Sequence, residues 1–224
     1  FINQTTMKYL IGIQPTGKIH IGNYLGCLKR GLDLQNQGHE VIFLIANYHS
    51  MTTNSYSDET EKELVRLGCK RIKRQTPEYT ELFFQLCCKL SLGTLLRMPQ
   101  YKDKKDNVEF DLGLLLYPVL MTADIMINDP DVIIVGRDQV AHIELCNDIS
   151  RRLGGKDYKY EFGDVDKIMS EYTQLLYYRF NLSKDEMNYA LKFAEELANN
   201  SKGIRMLNDI FYFMRKYKFD RKDL

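Results

Sequence analysis

The sequence predicts an α/β fold with a parallel sheet, because apolar segments of strand length alternate with segments of helical periodicity. Residues 9–13 (YLIGI) and 40–46 (EVIFLIA) are typical of buried strands. Between them, residues 21–37 carry leucines at helical spacing, and Gly38 is the expected end of that helix. Strand, helix and strand within about 40 residues form a βαβ unit, whose two strands are parallel.

The rest of the chain extends this pattern. Helical periodicity covers residues 58–74, 80–92, 112–127 and 141–153, residues 101–106 form a charged loop, and residues 131–135 (DVIIV) are a third buried strand. After Gly154 and Gly155 the composition shifts towards Lys, Tyr, Asn and Glu, and most of that segment is predicted to be helical. The prediction is therefore a parallel-sheet domain followed by a C-terminal helical region.

The composition excludes several classes of protein. The chain has 224 residues, 44% hydrophobic and 27% charged, which suits a large core and not a disordered or collagen-like chain. A formal net charge of +1 argues against a globally basic nucleic-acid-binding surface. No apolar run approaches the roughly 18 residues of a transmembrane helix. The 5 cysteines form no CxxC pair, which favours reduced thiols and a cytoplasmic location over disulfides or a zinc site.

The first motif, residues 12–18 (GIQPTGK), matches the phosphate-loop pattern GxxxxGK. That loop requires Ser or Thr at the next position to ligate Mg²⁺, and this chain has Ile19 there. Pro15 also removes one backbone N–H from the loop. These two features, Ile19 and Pro15, therefore argue against a phosphate-loop NTPase.

A different interpretation takes in His20, Gly22 and Asn23, where the first strand gives way to the first helix. A helix N-terminus offers free N–H groups and the positive end of its dipole, which suit a polyphosphate. Gly22 allows close approach of a nucleotide, and His20 and Asn23 are spaced so that both can face one ligand. The alternative is a simple helix cap.

A second candidate site lies on the apolar helix. Tyr117, Met121 and Asp124 stand at i, i+4 and i+7 and therefore share one helix face. Most of that face is apolar, and a buried carboxylate needs a partner. Either Asp124 pairs within the protein, or it waits for a donor on a ligand.

A third candidate site follows the third strand, where Gly136, Asp138 and Gln139 come directly after the apolar residues. In open α/β sheets, ligands bind at the carboxyl ends of the strands. Asp138 can accept hydrogen bonds from ribose hydroxyls there, or it can be the N-cap of the next helix.

A fourth segment, residues 97–104 (RMPQYKDK), places Lys102 and Lys104 on the charged loop. Taken alone, such a segment is typical of an ordinary solvated loop.

Together these four motifs resemble the tryptophanyl branch of the class I aminoacyl-tRNA synthetases. GIQPTGKIHIGNYLG, at residues 12–26, is similar to the family's opening strand, turn and helix with its HIGH-type signature, in which Asn23 takes the last position. RMPQYKDK, YPVLMTADI and VGRDQVAHIEL then follow in the family's order. The resemblance covers residues 9–153.

The resemblance implies a Rossmann-type catalytic domain at residues 9–170, including a helical insertion, and a helical C-terminal region at residues 171–224 that binds the anticodon. It implies activation of L-tryptophan by ATP with Mg²⁺, followed by transfer to tRNA(Trp). It also implies a homodimer, formed through helices between residues 58 and 96.

The resemblance also assigns roles to individual residues. Gly12, Gln14, His20, Gly22 and Asn23 would surround the ATP, Gly136 and Asp138 would hold its ribose, Lys102 and Lys104 would neutralise phosphate, and Tyr117, Met121, Asp124, Gln139 and His49 would line the amino-acid pocket. His20, Asn23 and Lys104 would be the catalytic residues. Asp124 would accept the indole N–H.

Two features depart from the family pattern. Asn47 replaces an Asp that is common two residues before His49, and a lone His beside an apolar strand is also consistent with a structural role. The second signature, a Lys-Met-Ser-Lys-Ser-like loop, does not follow residues 167–170 (KIMS), so either the loop is missing from the sequence or the chain is a nucleotide- or tRNA-binding paralogue without full catalysis.

Tyrosyl-tRNA synthetase is the alternative, but that family usually has Gln where this chain has Met121, whose thioether packs well against an aromatic ring.

Overall fold

The computed structural model describes residues 5–17, 19, 23–53, 56–98 and 112–163. Within them the strands are β1 (Lys8–Ile13), β2 (Glu40–Ile45), β3 (Ile72–Arg74), β4 (Val132–Val135) and β5 (Lys159–Phe162). The α-helices are α1 (Lys29–Asn36), α2 (Asn47–Ser50), α3 (Glu59–Arg66), α4 (Pro77–Cys87), α5 (Leu92–Leu95), α6 (Leu112–Asn128) and α7 (Val140–Arg152). A π-helical turn, Tyr24–Leu28, leads into α1. The predicted helical region at residues 171–224 lies outside the described residues.

The described strands form one parallel sheet in the order β3-β2-β1-β4-β5. This order confirms the predicted Rossmann-type sheet, and it reverses direction between β1 and β4. Ligands bind in the crevice at such a reversal, outside the carboxyl ends of the strands.

Helices cover both faces of the sheet. On one face, Ile11 and Ile13 of β1 pack with Leu34 of α1 and Leu64 of α3. On the other face, the buried cluster combines sheet residues with residues of α4, α6 and α7, among them Leu10, Tyr79, Ile125 and Ile143. The sequence dictates this arrangement, because β1, β2 and β4 are almost wholly apolar and must be covered on both sides.

Helix α1 lies unusually close to the sheet because Gly31 has no side chain. A Cβ atom at this position would lie 2.3 Å from Ile11 Cδ1 and 3.0 Å from Phe43 Cε1. The βαβ unit predicted from residues 9–46 is thus confirmed, and its end at Gly38, with φ +92°, is confirmed as well.

The predicted helix over residues 58–74 is wrong in its second half. Helix α3 ends at Arg66, Gly68 adopts φ +87°, and β3 then pairs with β2 in the register Phe43↔Ile72. A left-handed glycine ends a helix because it costs no steric strain there. The strand escaped prediction because it is short, charged and at the sheet edge.

Strand β5 is an element that the sequence analysis did not predict, and the rest of the segment expected to be mostly helical, from residue 164 onward, lies outside the described residues. The β5 sequence, KYEF, pairs in parallel with Val132–Val135. Like β3, it lies at an edge of the sheet that the described strands form, and charged residues are common on edges because they discourage pairing with other chains. Among the described residues, no helix has both the length and the apolarity to cross a membrane.

Candidate functional site

The predicted site residues that the structure describes gather at the carboxyl ends of β1, β2 and β4. Gly12 and Gln14 lie at the end of β1, His49 lies in α2 just after β2, and Asp138 lies just after β4. Gln14 joins two of these segments, because its Nε2 donates to the His49 carbonyl oxygen at 3.1 Å. His20, Gly22, Lys102 and Lys104 lie outside the described residues.

Gly12 leaves open space at this edge. It alternates along β1 with Ile11 and Ile13, which pack on the α1 side, so it belongs to the face covered by α6. A Cβ atom at Gly12 would meet no atom of the described residues within 4 Å. A ligand can therefore approach the β1 backbone closely here.

The loop after β1 is held by helix α3. Thr60, which is buried, donates from Oγ1 to the Gly17 carbonyl oxygen at 2.6 Å and accepts from the Gly17 N–H at 3.3 Å. The Ser57 N–H donates to the Pro15 carbonyl oxygen at 2.8 Å. Sequence analysis missed Thr60, because nothing in its local pattern links it to a loop 43 residues earlier.

Asn23 opens the π-helical turn with helical backbone angles and makes no side-chain capping hydrogen bond. Its carbonyl oxygen accepts a hydrogen bond from the Cys27 thiol, with Sγ at 3.3 Å. The helix-cap alternative also involves His20 and Gly22, which lie outside the described residues, and it stays a prediction.

Asp124 is 5% exposed and pairs within the protein. Its Oδ2 lies 2.9 Å from His49 Nε2, and its Oδ1 accepts from Gln75 Nε2 at 2.5 Å. The structure thus selects the internal-pairing alternative and corrects the idea of an acid that waits unpaired. A carboxylate has about four lone-pair positions, so two donors still leave room for a third.

Gln75 is the functional-site candidate that sequence analysis missed. It lies between β3 and α4 and is 4% exposed. Its Oε1 accepts from the Tyr48 N–H at 2.7 Å, and its own N–H donates to Asn47 Oδ1 at 2.9 Å. Asn47 therefore supplies a neutral acceptor at the position where the sequence departs from the expected Asp. A correct prediction of β3 would have placed Gln75 at the sheet edge beside the site.

A second polar network begins on the same face of α6. The Tyr117 hydroxyl lies 3.1 Å from His142 Nε2, His142 Nδ1 lies 2.8 Å from Gln139 Oε1, and Gln139 Nε2 donates to Asp138 Oδ2 at 2.8 Å. Tyr117 also stands edge-on to the His49 ring, with centroids 6.1 Å apart. The two networks therefore meet at Tyr117.

In this second network, the direction of each hydrogen bond follows from Asp138, the residue at which the network ends. Asp138 can only accept when ionised, so the Gln139 amide must turn its oxygen towards His142. Nδ1 of His142 then carries the proton, and Nε2 accepts from the Tyr117 hydroxyl. Burial lowers the pKa of His142 to about 4 and raises the pKa of Tyr117, so both are neutral near pH 7.

Met121 lies between Tyr117 and Asp124 on α6, as its spacing predicts, and packs against the cluster that contains Leu44 and Ile125. It provides a polarizable apolar surface one turn from the buried acid.

Asp138 is exposed and lies in a 3₁₀ turn, Arg137–Gln139. The residue that caps α7 is Gln139, and it forms no side-chain capping bond, so the N-cap alternative for Asp138 is wrong. Gly136 makes room for the carboxylate, because a Cβ there would lie 2.5 Å from Asp138 Oδ1.

The fold and these contacts define a class of protein: a doubly wound α/β domain whose polar residues line the crevice at the switch point of its sheet. The family model described as "tRNA synthetases class I (W and Y)" matches residues 3–68 and 69–207. The chain belongs to this family of class I tRNA synthetases.

Similar proteins in other organisms agree with that assignment. A tryptophan–tRNA ligase of Fusobacterium nucleatum is 39% identical over 169 residues, which cover 69% of this chain and 51% of the relative. A tryptophanyl-tRNA synthetase structure from Mycoplasma pneumoniae has a TM-score of 0.63 at 29% identity, over 70% of this chain and 52% of that one. A Campylobacter jejuni tryptophanyl-tRNA synthetase, solved with ADP and tryptophan, has a TM-score of 0.60 at 32% identity, over 69% of this chain and 55% of that one. The chain spans about half the length of the curated relatives it matches.

Proposed function

We propose that this chain carries the activation site of an ATP-dependent tryptophan–tRNA ligase, which joins L-tryptophan to tRNA(Trp). The observation that carries the proposal is the buried acceptor Asp124, held between His49 and Gln75 one turn from the thioether of Met121. The indole ring combines an apolar surface with one N–H donor, and this pocket offers a match for both. The complex of the Campylobacter relative with ADP and tryptophan supports the same pair of ligands.

In this proposal the indole N–H donates to Asp124, and the ring packs against Met121 and Tyr117. A hydrogen bond to a charged acceptor is worth about 1.5–3 kcal/mol, so an amino acid without the donor binds less well. Gln139 and His49 complete the pocket around the amino acid.

ATP lies along the carboxyl ends of β1 and β4 in this proposal. Gly12, Gln14, Gly22 and Asn23 pass close to the nucleotide, Gly136 leaves space, and Asp138 accepts from the ribose hydroxyls. Lys102 joins Lys104 at the phosphates. The open space at Gly12 and the exposed carboxylate of Asp138 support this placement.

The reaction needs positioning more than proton transfer. The tryptophan carboxylate attacks the α-phosphorus, the bond to the bridging oxygen breaks, and pyrophosphate leaves. His20, Asn23 and Lys104 are proposed to stabilise the developing charge, and loss of one such donor costs roughly 3–4 kcal/mol. The proposal includes Mg²⁺ bound together with ATP, which would supply charge neutralisation at the phosphates.

The expected homodimer and cytoplasmic location are also part of the proposal. Phe84 of α4 and Leu92 of α5 are 68% and 61% exposed, within the region predicted to form the dimer. Exposed apolar side chains in this region are available to a partner subunit in this proposal. The cysteines are free, which fits a reducing compartment.

The decisive experiment is ATP–pyrophosphate exchange with the full-length protein. Exchange is expected with tryptophan, and much less with tyrosine or without an amino acid. Preference for tyrosine would make the protein a tyrosyl-tRNA synthetase. ATP and tryptophan binding without exchange would indicate the paralogue without full catalysis, and ATP hydrolysis independent of amino acid would indicate an NTPase.

A further inference from the structure

Gln75 bridges three segments around the buried acid. It accepts from the Tyr48 N–H, donates to Asp124 Oδ1, and uses its own backbone N–H for Asn47. The side-chain amide is therefore bound at both ends, to groups that lie on different elements of the fold.

The backbone fixes which way this amide points. A peptide N–H can only donate, so the Gln75 oxygen must face Tyr48 and its NH₂ group must face Asp124. Oδ1 of Asp124 is consequently held as an acceptor. Its remaining lone pairs can accept from a ligand, but a ligand acceptor would find no proton on Oδ1.

We infer that Gln75 is a positioning residue that fixes Asp124 as a hydrogen-bond acceptor, and thereby sets selectivity for an amino acid whose ring carries an N–H donor. This inference rests on the proposed function and deepens it. It assigns part of the specificity to a residue that acts through Asp124 and belongs to the β3–α4 connection.

The test variant is Gln75→Glu, which keeps the length of the side chain and the acceptor for Tyr48. At a pH above the pKa of the introduced carboxyl, where the affinities are measured, its second oxygen would face Asp124 and set two acceptors against each other. The matched control is Gln35→Glu in α1, on the opposite side of the sheet. Gln35 is also buried, donates to the Gly68 carbonyl oxygen at 3.0 Å and accepts from the Lys70 N–H at 2.7 Å.

Calorimetry measures the affinities of the full-length variants for tryptophan and for its benzothiophene analogue, in which sulfur replaces the ring N–H. In wild type, tryptophan is expected to bind about tenfold to a hundredfold more tightly than the analogue. In Gln75→Glu this ratio should fall towards one, and in Gln35→Glu it should stay at the wild-type value. An equal loss of affinity for both ligands, or an unchanged ratio, would show a merely structural role and overturn the inference.

A second readout needs no ligand. The carboxyl introduced by Gln75→Glu faces Asp124, which raises its pKa in the folded state, so the variant should lose stability relative to wild type as pH rises through that pKa. His49, Tyr79 and Tyr117 also face this site, and the comparison with wild type at each pH removes their contributions. A pH-independent difference in urea unfolding would contradict the role of Gln75. Failure of wild type to bind tryptophan would instead defeat the proposed function, while leaving this second readout meaningful.

Discussion

Two polar networks contact the same face of α6, and they differ in how they end. The network of Asp124, His49 and Gln75 is enclosed, and all three residues are buried. The network from Tyr117 through His142 ends at Asp138, which is exposed at the mouth of the crevice.

In the proposed function, this difference lets one helix serve two substrates with different demands. An enclosed acid keeps its orientation because protein donors hold it before any ligand arrives, which suits recognition of a single donor. A chain that ends at an exposed carboxylate is oriented from within but remains available to hydroxyl groups in the crevice. Preorganisation of this kind lowers the entropic cost of binding.

The comparison of the two networks predicts that Asp124→Ala has the largest effect on stability and on amino-acid selectivity. This change leaves His49 and Gln75 buried without their acceptor, and each such group costs about 1–3 kcal/mol. Unfolding in urea measures that loss, and the exchange assay should show that selectivity for tryptophan over phenylalanine has disappeared. Asp157→Ala, which removes an exposed ion pair with Arg151, is the control and should cost no more than about 1 kcal/mol. Unchanged selectivity in Asp124→Ala would break the account of the enclosed network.

The network from Tyr117 through His142 to Asp138 predicts that stability depends on pH, because His142 titrates. Its pKa is about 4 in the folded protein against 6.5 in the unfolded chain, so the unfolded state binds more protons between these values. The contribution of neutral His142 to the free energy of unfolding is complete above about pH 6.5. It is lost as pH falls towards 4, by up to about 3 kcal/mol. His142→Gln should lack this contribution. His39→Gln, which alters a half-buried histidine at the other end of the sheet, should retain it.

If the free energy of unfolding depended on pH identically in wild type and in His142→Gln, His142 would not be held neutral by burial.

The smallest of these effects is expected for Gly136→Ala. The added methyl group displaces the Asp138 carboxylate, so ATP affinity should fall by about tenfold, the equivalent of 1.4 kcal/mol, while tryptophan affinity changes little. Gly93→Ala in α5 is the control, because its Cβ would lie at an ordinary 3.8 Å from Arg97. Calorimetry with each ligand separates the two networks, and an equal loss of both affinities would show that they are not independent in this way.

The sequence predicts the parts of this structure whose signal is local. The buried strands at residues 9–13, 40–46 and 131–135 are apolar throughout, and Tyr117, Met121 and Asp124 follow helical spacing, so each needs only its own segment to be recognised. Strands β3 and β5 were missed because charged residues on a sheet edge lack an apolar pattern.

The partners of the site residues could not be predicted in the same way. Gln75 and Asp124 are 49 residues apart, and His142 and Tyr117 are 25 apart. These contacts depend on how the sheet edge, α4 and α6 pack together, which no single segment of sequence specifies. The predicted roles of all the site residues remain predictions, and His20, Gly22, Lys102 and Lys104 also lie outside the described residues.

The central claim is that the protein holds Asp124 as a ready acceptor for one ring N–H. It is tested most directly by titrating the wild-type protein with tryptophan and with the benzothiophene analogue under the same conditions. The account predicts that the analogue binds at least about tenfold more weakly. Equal affinities would contradict it, because the buried acid would then contribute nothing to recognition of the ring nitrogen.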